Sequence, residues 1–173
     1  SDLSWTRSSM LYDVNGDGGL EIISIIDDMM GSVAIHARNS AGTNIAGFPV
    51  TLSYPSPLVM LSGAVGDVDG DGKPEIFFSV AERRSSKYDT AKISLYGLSH
   101  QGALLPGYPI HFTGFSAAQQ EVYLSDIVIG DIDGVGPKEI LFCETVDDEV
   151  AKTYRFAVHA RHRLIEHQQA WLH

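Results

Sequence analysis

The chain has 173 residues, of which 44% are hydrophobic and 20% are charged, and its formal net charge is −10. This balance is typical of a folded domain with a sizeable core. The acidic charge argues against nucleic acid as a partner, because binding phosphates requires a basic surface. No apolar run approaches the roughly 18 residues of a membrane span. The single cysteine, Cys143, excludes a disulfide within the chain.

An acidic, glycine-rich segment occurs three times, at residues 13–21, 67–75 and 131–139. The three copies read Asp-Val-Asn-Gly-Asp-Gly-Gly-Leu-Glu, Asp-Val-Asp-Gly-Asp-Gly-Lys-Pro-Glu and Asp-Ile-Asp-Gly-Val-Gly-Pro-Lys-Glu. A short apolar run precedes each copy, and a run rich in β-branched or aromatic residues follows it. Each copy therefore lies between two predicted strands of an internal repeat.

A second landmark follows the first two acidic segments. Residues 35–50 match residues 95–110 without a gap, and both stretches contain a turn glycine and then a Gly-aromatic-Pro motif. In the third copy, 158–173, Ile165 replaces the turn glycine and Ala170-Trp171-Leu172 replaces the motif. Two landmarks in the same order indicate three repeat units, the third of them degenerate.

Each unit is predicted to form four short antiparallel strands, so the fold is expected to be all-β. In chain order the predicted strands are 8–12, 21–26, 33–38 and 45–52; 60–66, 75–81, 91–97 and 105–113; and 123–130, 139–144, 153–160 and 164–172. Repeated four-stranded units are typical of β-propeller blades. We assign blade 1 to about 1–54, blade 2 to about 55–116 and blade 3 to about 117–173, within one partial propeller domain spanning 1–173.

The acidic segments are predicted to be tight loops whose oxygen atoms converge, because glycines let the backbone fold back on itself. The expected ligands are side chains at positions one, three, five and nine and a backbone carbonyl at position seven. In the first loop these are Asp13, Asn15, Asp17, the Gly19 carbonyl and Glu21; in the second, Asp67, Asp69, Asp71, the Lys73 carbonyl and Glu75; in the third, Asp131, Asp133 and Glu139.

Oxygen ligands in this number suit Ca²⁺ better than Mg²⁺, which demands stricter octahedral geometry. Two carboxylates about 4 Å apart repel by about 4 kcal/mol near a protein surface, so a cation would relieve the cluster. Asn-Gly and Asp-Gly turns also form without metal, but a turn needs only one such pair and not three or four acidic residues in register. We expect Ca²⁺ in the first two loops and a weak or absent site in the third, where Val135 occupies position five.

On these residues the chain resembles the FG-GAP (VCBS-like) repeat family. The acidic segments at 13–21 and 66–75 and the Gly-aromatic-Pro motifs at 47–49 and 107–109 carry the resemblance, which extends over nearly the whole chain. It implies a propeller of about seven blades, with Ca²⁺ in the hairpin between the first two strands of a blade. The roles it implies include integrin α-subunit heads, bacterial adhesins, some lectins and accessory domains of secreted enzymes.

No catalytic motif accompanies the repeats. None of the seven histidines has the His-Glu-x-x-His spacing of a zinc protease, and no serine lies in a Gly-x-Ser-x-Gly motif. We therefore expect a non-catalytic, secreted or cell-surface module for recognition or adhesion, with a protein or carbohydrate ligand. The alternative is a scaffold or accessory propeller domain of a secreted polysaccharide lyase or hydrolase.

Three blades cannot close a ring, and open ends would expose unpaired strand edges. The expected partners are therefore the remaining blades of a parent propeller or a self-associating copy. The chain opens at Ser1 without a recognisable signal peptide. This fits either removal of a leader or excision from a longer protein.

Overall fold

The computed structural model describes residues 5–27, 31–53, 58–82, 91–115, 121–124, 126–132, 134–147, 152–160 and 163–171. These residues form an all-β fold in which every paired strand is antiparallel to its neighbour. The described part of the chain has no helix that could cross a membrane.

Three sheets follow one another along the chain. The first unit contains β1 (Trp5–Tyr12), β2 (Glu21–Asp27), β3 (Ser32–Arg38) and β4 (Val50–Ser53). The second contains β5 (Leu58–Gly66), β6 (Glu75–Glu82), β7 (Ala91–Leu98) and β8 (Ile110–Phe115). The third contains β9 (Glu121–Leu124), β10 (Val128–Gly130), β11 (Glu139–Asp147), β12 (Lys152–Ala160) and β13 (Arg163–Trp171). Strands pair in chain order within each unit, except that β9 and β10 both pair with β11.

The third sheet has five strands because the predicted strand 123–130 is interrupted. The backbone N–H of Ile127 donates to the Ser62 hydroxyl of the second unit at 3.1 Å, and that hydroxyl donates to Asp126 at 3.3 Å. At this point the chain bonds to the neighbouring unit instead of to β11. The interruption therefore ties the second and third units together.

The last strands of the first two units begin later than predicted. Ile45 and Leu105 still donate to the preceding strand, at 2.9 Å to the carbonyls of Ala37 and Gly97. The Gly-aromatic-Pro motif that follows is a turn, and its glycine has a positive φ that side chains disfavour, 90° at Gly47. Regular pairing resumes only at β4 and β8, so the motif precedes these strands and does not lie within them.

The core lies between consecutive sheets. Alternate residues of a strand point to opposite faces, and the run at 22–26 is apolar at four of its five positions, so the sheet needs cover on both sides. One cluster joins Ile23, Ile25 and Ile35 of the first unit to Ile76 and Phe78 of the second. Each fully buried aliphatic side chain contributes roughly 1.5–3 kcal/mol of transfer free energy.

A second cluster has the same construction. It joins Phe77 and Leu95 of the second unit to Ile127 and Ile140 of the third. The opening strands of consecutive units also meet, since β1 contacts β5 and β5 contacts β9 and β10. The three sheets therefore stack face to face, with their opening strands side by side.

The two glycine landmarks of neighbouring units contact each other. The turn at Gly102 in the second unit lies against the Gly47 turn of the first unit. A Cβ atom at Gly102 would come within 2.5 Å of the Gly47 carbonyl oxygen and 2.8 Å of a Val50 methyl group. Gly42, which occupies the same repeat position in the first unit, has the same φ of 77°, but a Cβ there would meet no described atom within 4 Å.

This pair of glycines provides a matched test of the contact between units. Gly42→Ala should cost about 1–2 kcal/mol because of its positive φ alone. Gly102→Ala should cost a further 1–3 kcal/mol or so, because the added methyl group clashes with the first unit. Urea unfolding of both variants measures the difference, and equal costs would contradict a close contact at Gly102.

Candidate metal centre

Each acidic loop connects the strand before it to the strand after it in the same way. Residues 13–21 join β1 to β2, residues 67–75 join β5 to β6, and residues 131–139 join β10 to β11. Because the three sheets stack in register, equivalent loops of successive units lie at the same ends of their sheets. The repeat thus places its carboxylates along one edge of the stack.

The aspartate at position one organises each loop. In the second loop, Asp67 accepts hydrogen bonds from the backbone N–H groups of Gly70 at 2.7 Å and Gly72 at 3.0 Å. Asp13 makes the equivalent bonds to Gly16 at 2.8 Å and Gly18 at 2.9 Å. These glycines have φ values between 75° and 87°, which allow the backbone to curl around the carboxylate.

Positions three and five continue the curl. Asp71 N–H donates to Asp69 Oδ1 at 3.0 Å, and Lys73 N–H donates to Asp71 Oδ1 at 2.8 Å. Each side chain thus caps the backbone two residues further along, as Asx turns do. Backbone N–H groups of the loop therefore hold one oxygen or more of each of its three aspartates.

In the second loop this curl brings three carboxylates together. One oxygen each from Asp67, Asp69 and Asp71 lies within 4.8 Å of the other two. Asp69 and Asp71 are exposed and Asp67 is half-buried, so a cation could reach the group from solvent. Three hard oxygen donors at this separation fit Ca²⁺, which accepts six to eight oxygens in flexible geometry.

The first loop has the same shape with one fewer charge. Asp17 N–H donates to Asn15 Oδ1 at 2.8 Å, and Gly19 N–H donates to Asp17 Oδ1 at 2.7 Å. The Asn15 amide also donates to Asp17 Oδ2 at 2.9 Å. The Gly19 N–H group and then the Asn15 amide stabilise the ionised form, and together they lower the pKa of Asp17. The loop therefore presents two carboxylates and one amide oxygen.

The glutamates at position nine have a role that sequence analysis missed. Glu21, Glu75 and Glu139 are buried, and Oε2 of each accepts a hydrogen bond from the backbone N–H at position two. The donors are Val14 at 2.9 Å, Val68 at 2.9 Å and Ile132 at 2.8 Å. Each glutamate thereby closes its loop. The sequence does contain a sign that this glutamate has a structural role: it is present even in the third loop, where position five is not acidic.

Glu75 lies outside the group of three carboxylates, but their charges affect its pKa. Burial raises the pKa of Glu75, the hydrogen bond from Val68 opposes this, and the charges of Asp69, Asp67 and Asp71 raise it further. Burial, with a smaller effect from Glu75, also raises the pKa of Tyr108 to about 12. The negative potential of the second loop thus reaches into the core of its own unit.

Comparison with known families agrees with this geometry. The sequence model described as FG-GAP-like repeat matches residues 13–78, from the first acidic loop to strand β6. The chain carries an FG-GAP-like repeat. No curated protein and no solved structure gives a significant match to the chain.

The third acidic loop, which lies outside the matched residues, keeps the backbone hydrogen bond of the first two loops but not their acidic set. Asp131 accepts from Gly134 N–H at 2.7 Å, as its counterparts do. Val135 at position five is 73% exposed, and Asp133 lies outside the described residues. Lys138 N–H donates to the Val68 carbonyl at 3.0 Å, so the third loop is bonded to the second. This link between the second and third loops was also not predicted.

A cleft of about 490 Å³ separates the first two FG-GAP loops. Asn15 from the first loop and Lys73 from the second line it, together with His100 from the β7–β8 connection. With Asp13, it therefore combines one carboxylate with the Lys73 ammonium and the His100 imidazole.

Glu21 allows the loop-closing role to be separated from metal binding. In chelator, Glu21→Ala should lower the free energy of unfolding by about 1–3 kcal/mol, because it leaves the buried Val14 N–H without its acceptor. Glu21→Gln retains an acceptor oxygen and should lose less. Urea unfolding in EDTA measures both variants, and a Glu21→Ala protein as stable as wild type would contradict the closing role.

Proposed function

We propose that the chain is a calcium-binding β-propeller module that acts in extracellular recognition or adhesion and has no catalytic activity. The observation that carries the proposal is the convergence of Asp67, Asp69 and Asp71 within 4.8 Å on an FG-GAP-like repeat. The stacking of three similar sheets supports the propeller architecture, in which each sheet is one blade of a ring of about seven.

Two loops would hold the ions. In the second loop the ligands would come from Asp67, Asp69, Asp71 and the Lys73 carbonyl, with Glu75 behind them. In the first loop they would come from Asp13, Asn15, Asp17 and the Gly19 carbonyl, with Glu21 behind them. A bound Ca²⁺ supplies positive charge where carboxylates repel one another, and so it stabilises the loop and the strands that the loop connects.

Calcium should stabilise the folded protein by linkage. At a Ca²⁺ concentration of a hundred times Kd, each site adds about 2.7 kcal/mol, so EDTA should lower the Tm. Asp71→Asn should remove most of the second site's contribution, because it deletes one of three converging charges. Calorimetric titration and thermal unfolding with and without EDTA measure both effects.

The isosteric change also supplies its own control. Asp71→Asn retains Oδ1 as the acceptor for Lys73 N–H and removes one repelling charge, so the variant should be at least as stable as wild type in EDTA. A Tm that does not respond to calcium or EDTA in the wild-type protein would refute the proposed calcium binding.

The third loop offers a gain-of-function test. Val135→Asp places an acid at position five, where the first two loops have Asp17 and Asp71. Because the hydrogen bond from the Gly134 backbone N–H to the Asp131 carboxylate is already present, the variant should bind one more Ca²⁺ than wild type in a calorimetric titration. An unchanged stoichiometry would mean that position five is not what limits the third loop.

The cleft between the first two loops is the place where we expect a ligand to bind. Lys73 and His100 offer donors to an acidic protein segment or to a carbohydrate carboxylate or hydroxyl. A glycan array and an affinity capture from extracellular fluid, each with and without calcium, would define the ligand class. Loss of binding in Lys73→Ala with unchanged calcium stoichiometry would support this site, whereas full binding would place the ligand elsewhere.

A further inference from the structure

The acidic loops of neighbouring units meet in two different ways. Between the second and third units, the backbone N–H of Lys138 donates to the Val68 carbonyl at 3.0 Å. Position eight of one loop is thus bonded to position two of the loop before it. Between the first and second units, the residues at these two positions are Pro74 and Val14. Proline has no backbone N–H, so the bond cannot form at this junction.

The Val14 carbonyl is therefore an acceptor that the repeat does not use at this junction. Val14 is held as Val68 is, because the backbone N–H of each donates to the glutamate of its own loop at 2.9 Å. Within the described part of the chain, no group donates a hydrogen bond to the Val14 carbonyl, although Val14 is only 1% exposed. Nearly all buried carbonyls in folded proteins have a donor. A donor from another molecule would gain a hydrogen bond here without displacing one from the protein.

This acceptor borders the cleft of about 490 Å³ between the first two loops, because Val14 and Pro74 both line that cleft. Pro74 also gives a reason for the cleft. Its ring takes the place of the amide hydrogen, so these two loops cannot close on each other as the second and third loops do. The same proline therefore leaves a cleft and a carbonyl that borders it.

Two side chains that bind carboxylates line the same cleft. Lys73 directly precedes Pro74 in the second loop, and His100 lies on the β7–β8 connection. Neither side chain is bonded to another residue that the structure describes. At the junction between the second and third units, the residue in the place of Lys73 is Pro137. The junction that lacks the bond between its loops is thus the one that has the lysine.

We propose that this cleft binds an extended acidic segment of a partner protein. One backbone N–H of the segment bonds to the Val14 carbonyl, as the N–H of Lys138 bonds to Val68 within the chain. A carboxylate of the segment binds Lys73 and His100. Extended peptides are commonly recognised in this way, with affinity from main-chain hydrogen bonds and specificity from side-chain contacts. This inference rests on the proposed recognition function and specifies its ligand.

The polar groups of the cleft favour a peptide over an acidic carbohydrate. A sugar presents several hydroxyl donors that need acceptors. Asp13 and Asn15 also line the cleft, but their side-chain oxygens already accept hydrogen bonds from N–H groups of the first loop. A peptide needs only one acceptor for its N–H, and the Val14 carbonyl supplies it. The chain's own third loop shows that a backbone N–H fits this position of the repeat.

The attraction for an acidic segment has to be local, because the chain as a whole carries a net charge of −10. Charges in water act mainly over distances shorter than about 8 Å at physiological salt, so the side chains that line the cleft matter most. Calcium in the two loops would reduce the repulsion from their carboxylates. Binding is therefore measured in saturating calcium.

A fluorescent peptide tests the cleft on the whole chain. The probe is a capped peptide of alternating aspartate and alanine residues, and fluorescence polarisation gives its Kd. Pro74→Ala supplies a backbone N–H that can bond to the Val14 carbonyl, so it should weaken binding roughly tenfold, the usual worth of one hydrogen bond. Pro106→Ala is the matched control, because Pro106 is exposed and does not line the cleft. An unchanged Kd in Pro74→Ala, or equal losses in the two variants, would overturn the proposal.

Changes in the probe test the same contacts on the wild-type protein. Methylating one backbone nitrogen of the peptide at a time removes its N–H donors in turn, and methylation at one position at least should weaken binding roughly tenfold. Replacing every aspartate of the probe by asparagine removes the carboxylates and should weaken binding by a similar factor or more. Full binding by all the methylated peptides, or by the asparagine peptide, would contradict the proposed contacts.

Two further measurements separate the alternatives. Oligogalacturonate offers carboxylates and hydroxyls but no N–H group, so it should bind more weakly than the peptide, and tighter binding would replace the peptide by a carbohydrate. Calcium stoichiometry, measured by calorimetry on the same samples, distinguishes the two proposals. A calcium-loaded protein that does not bind the peptide would overturn this inference alone. A protein that binds the peptide but no calcium would support the cleft and refute the proposed calcium binding.

Discussion

The structure depends on the fact that a four-stranded sheet with apolar residues on both faces cannot bury both faces by itself. Ile23 and Ile25 lie against the second unit, while Ile22, the residue before Ile23 on β2, is exposed on the opposite face. Removing both faces from water requires another layer on each, and in the described part of this chain the layers that pack together are sheets. Stacking in register then sets the remaining features: opening strands side by side, acidic loops along one edge, and glycine turns in contact.

The acidic loops are part of this architecture and not additions to its surface. Their glutamates are buried and bond to the residue at position two, and in the first two units that residue packs into the core between sheets. The position-one aspartates fold the rest of each loop around themselves. Positions one and two therefore link the loop to the core. The aspartate at position one folds the loop around its carboxylate, and in the first two units the residue directly after it places its side chain in the core.

The features that sequence predicted are those with a local cause. Glycines with positive φ, Asx turns and apolar runs act over a few residues, so the three loops and the strands beside them could be placed in advance. The start of β4 could not be placed in advance. Ile45 does donate to the carbonyl of Ala37 on the preceding strand, but the turn at Gly47 interrupts this pairing before β4 begins.

The features that sequence missed arise between units or from burial. The break between β9 and β10 depends on Ser62, which is more than sixty residues away in the chain. The bond from Lys138 to Val68 likewise joins two units. Glu21, Glu75 and Glu139 were expected only as metal ligands, and their bonds to loop N–H groups depend on a degree of burial that an acidic sequence motif does not reveal.

The hydrogen bonds around Asp67 have one more consequence for the proposed calcium site. Because Gly70, Gly72 and Lys73 already hold the loop in its curled form, a cation binding there would find its oxygens assembled and would have little backbone entropy left to remove. Preorganisation of this kind makes affinity depend mainly on the number of charges facing the ion and less on the cost of folding the loop. Under the proposed calcium binding, Asn15 in place of an aspartate would therefore give the first loop a lower affinity than the second, although the two loops have one shape.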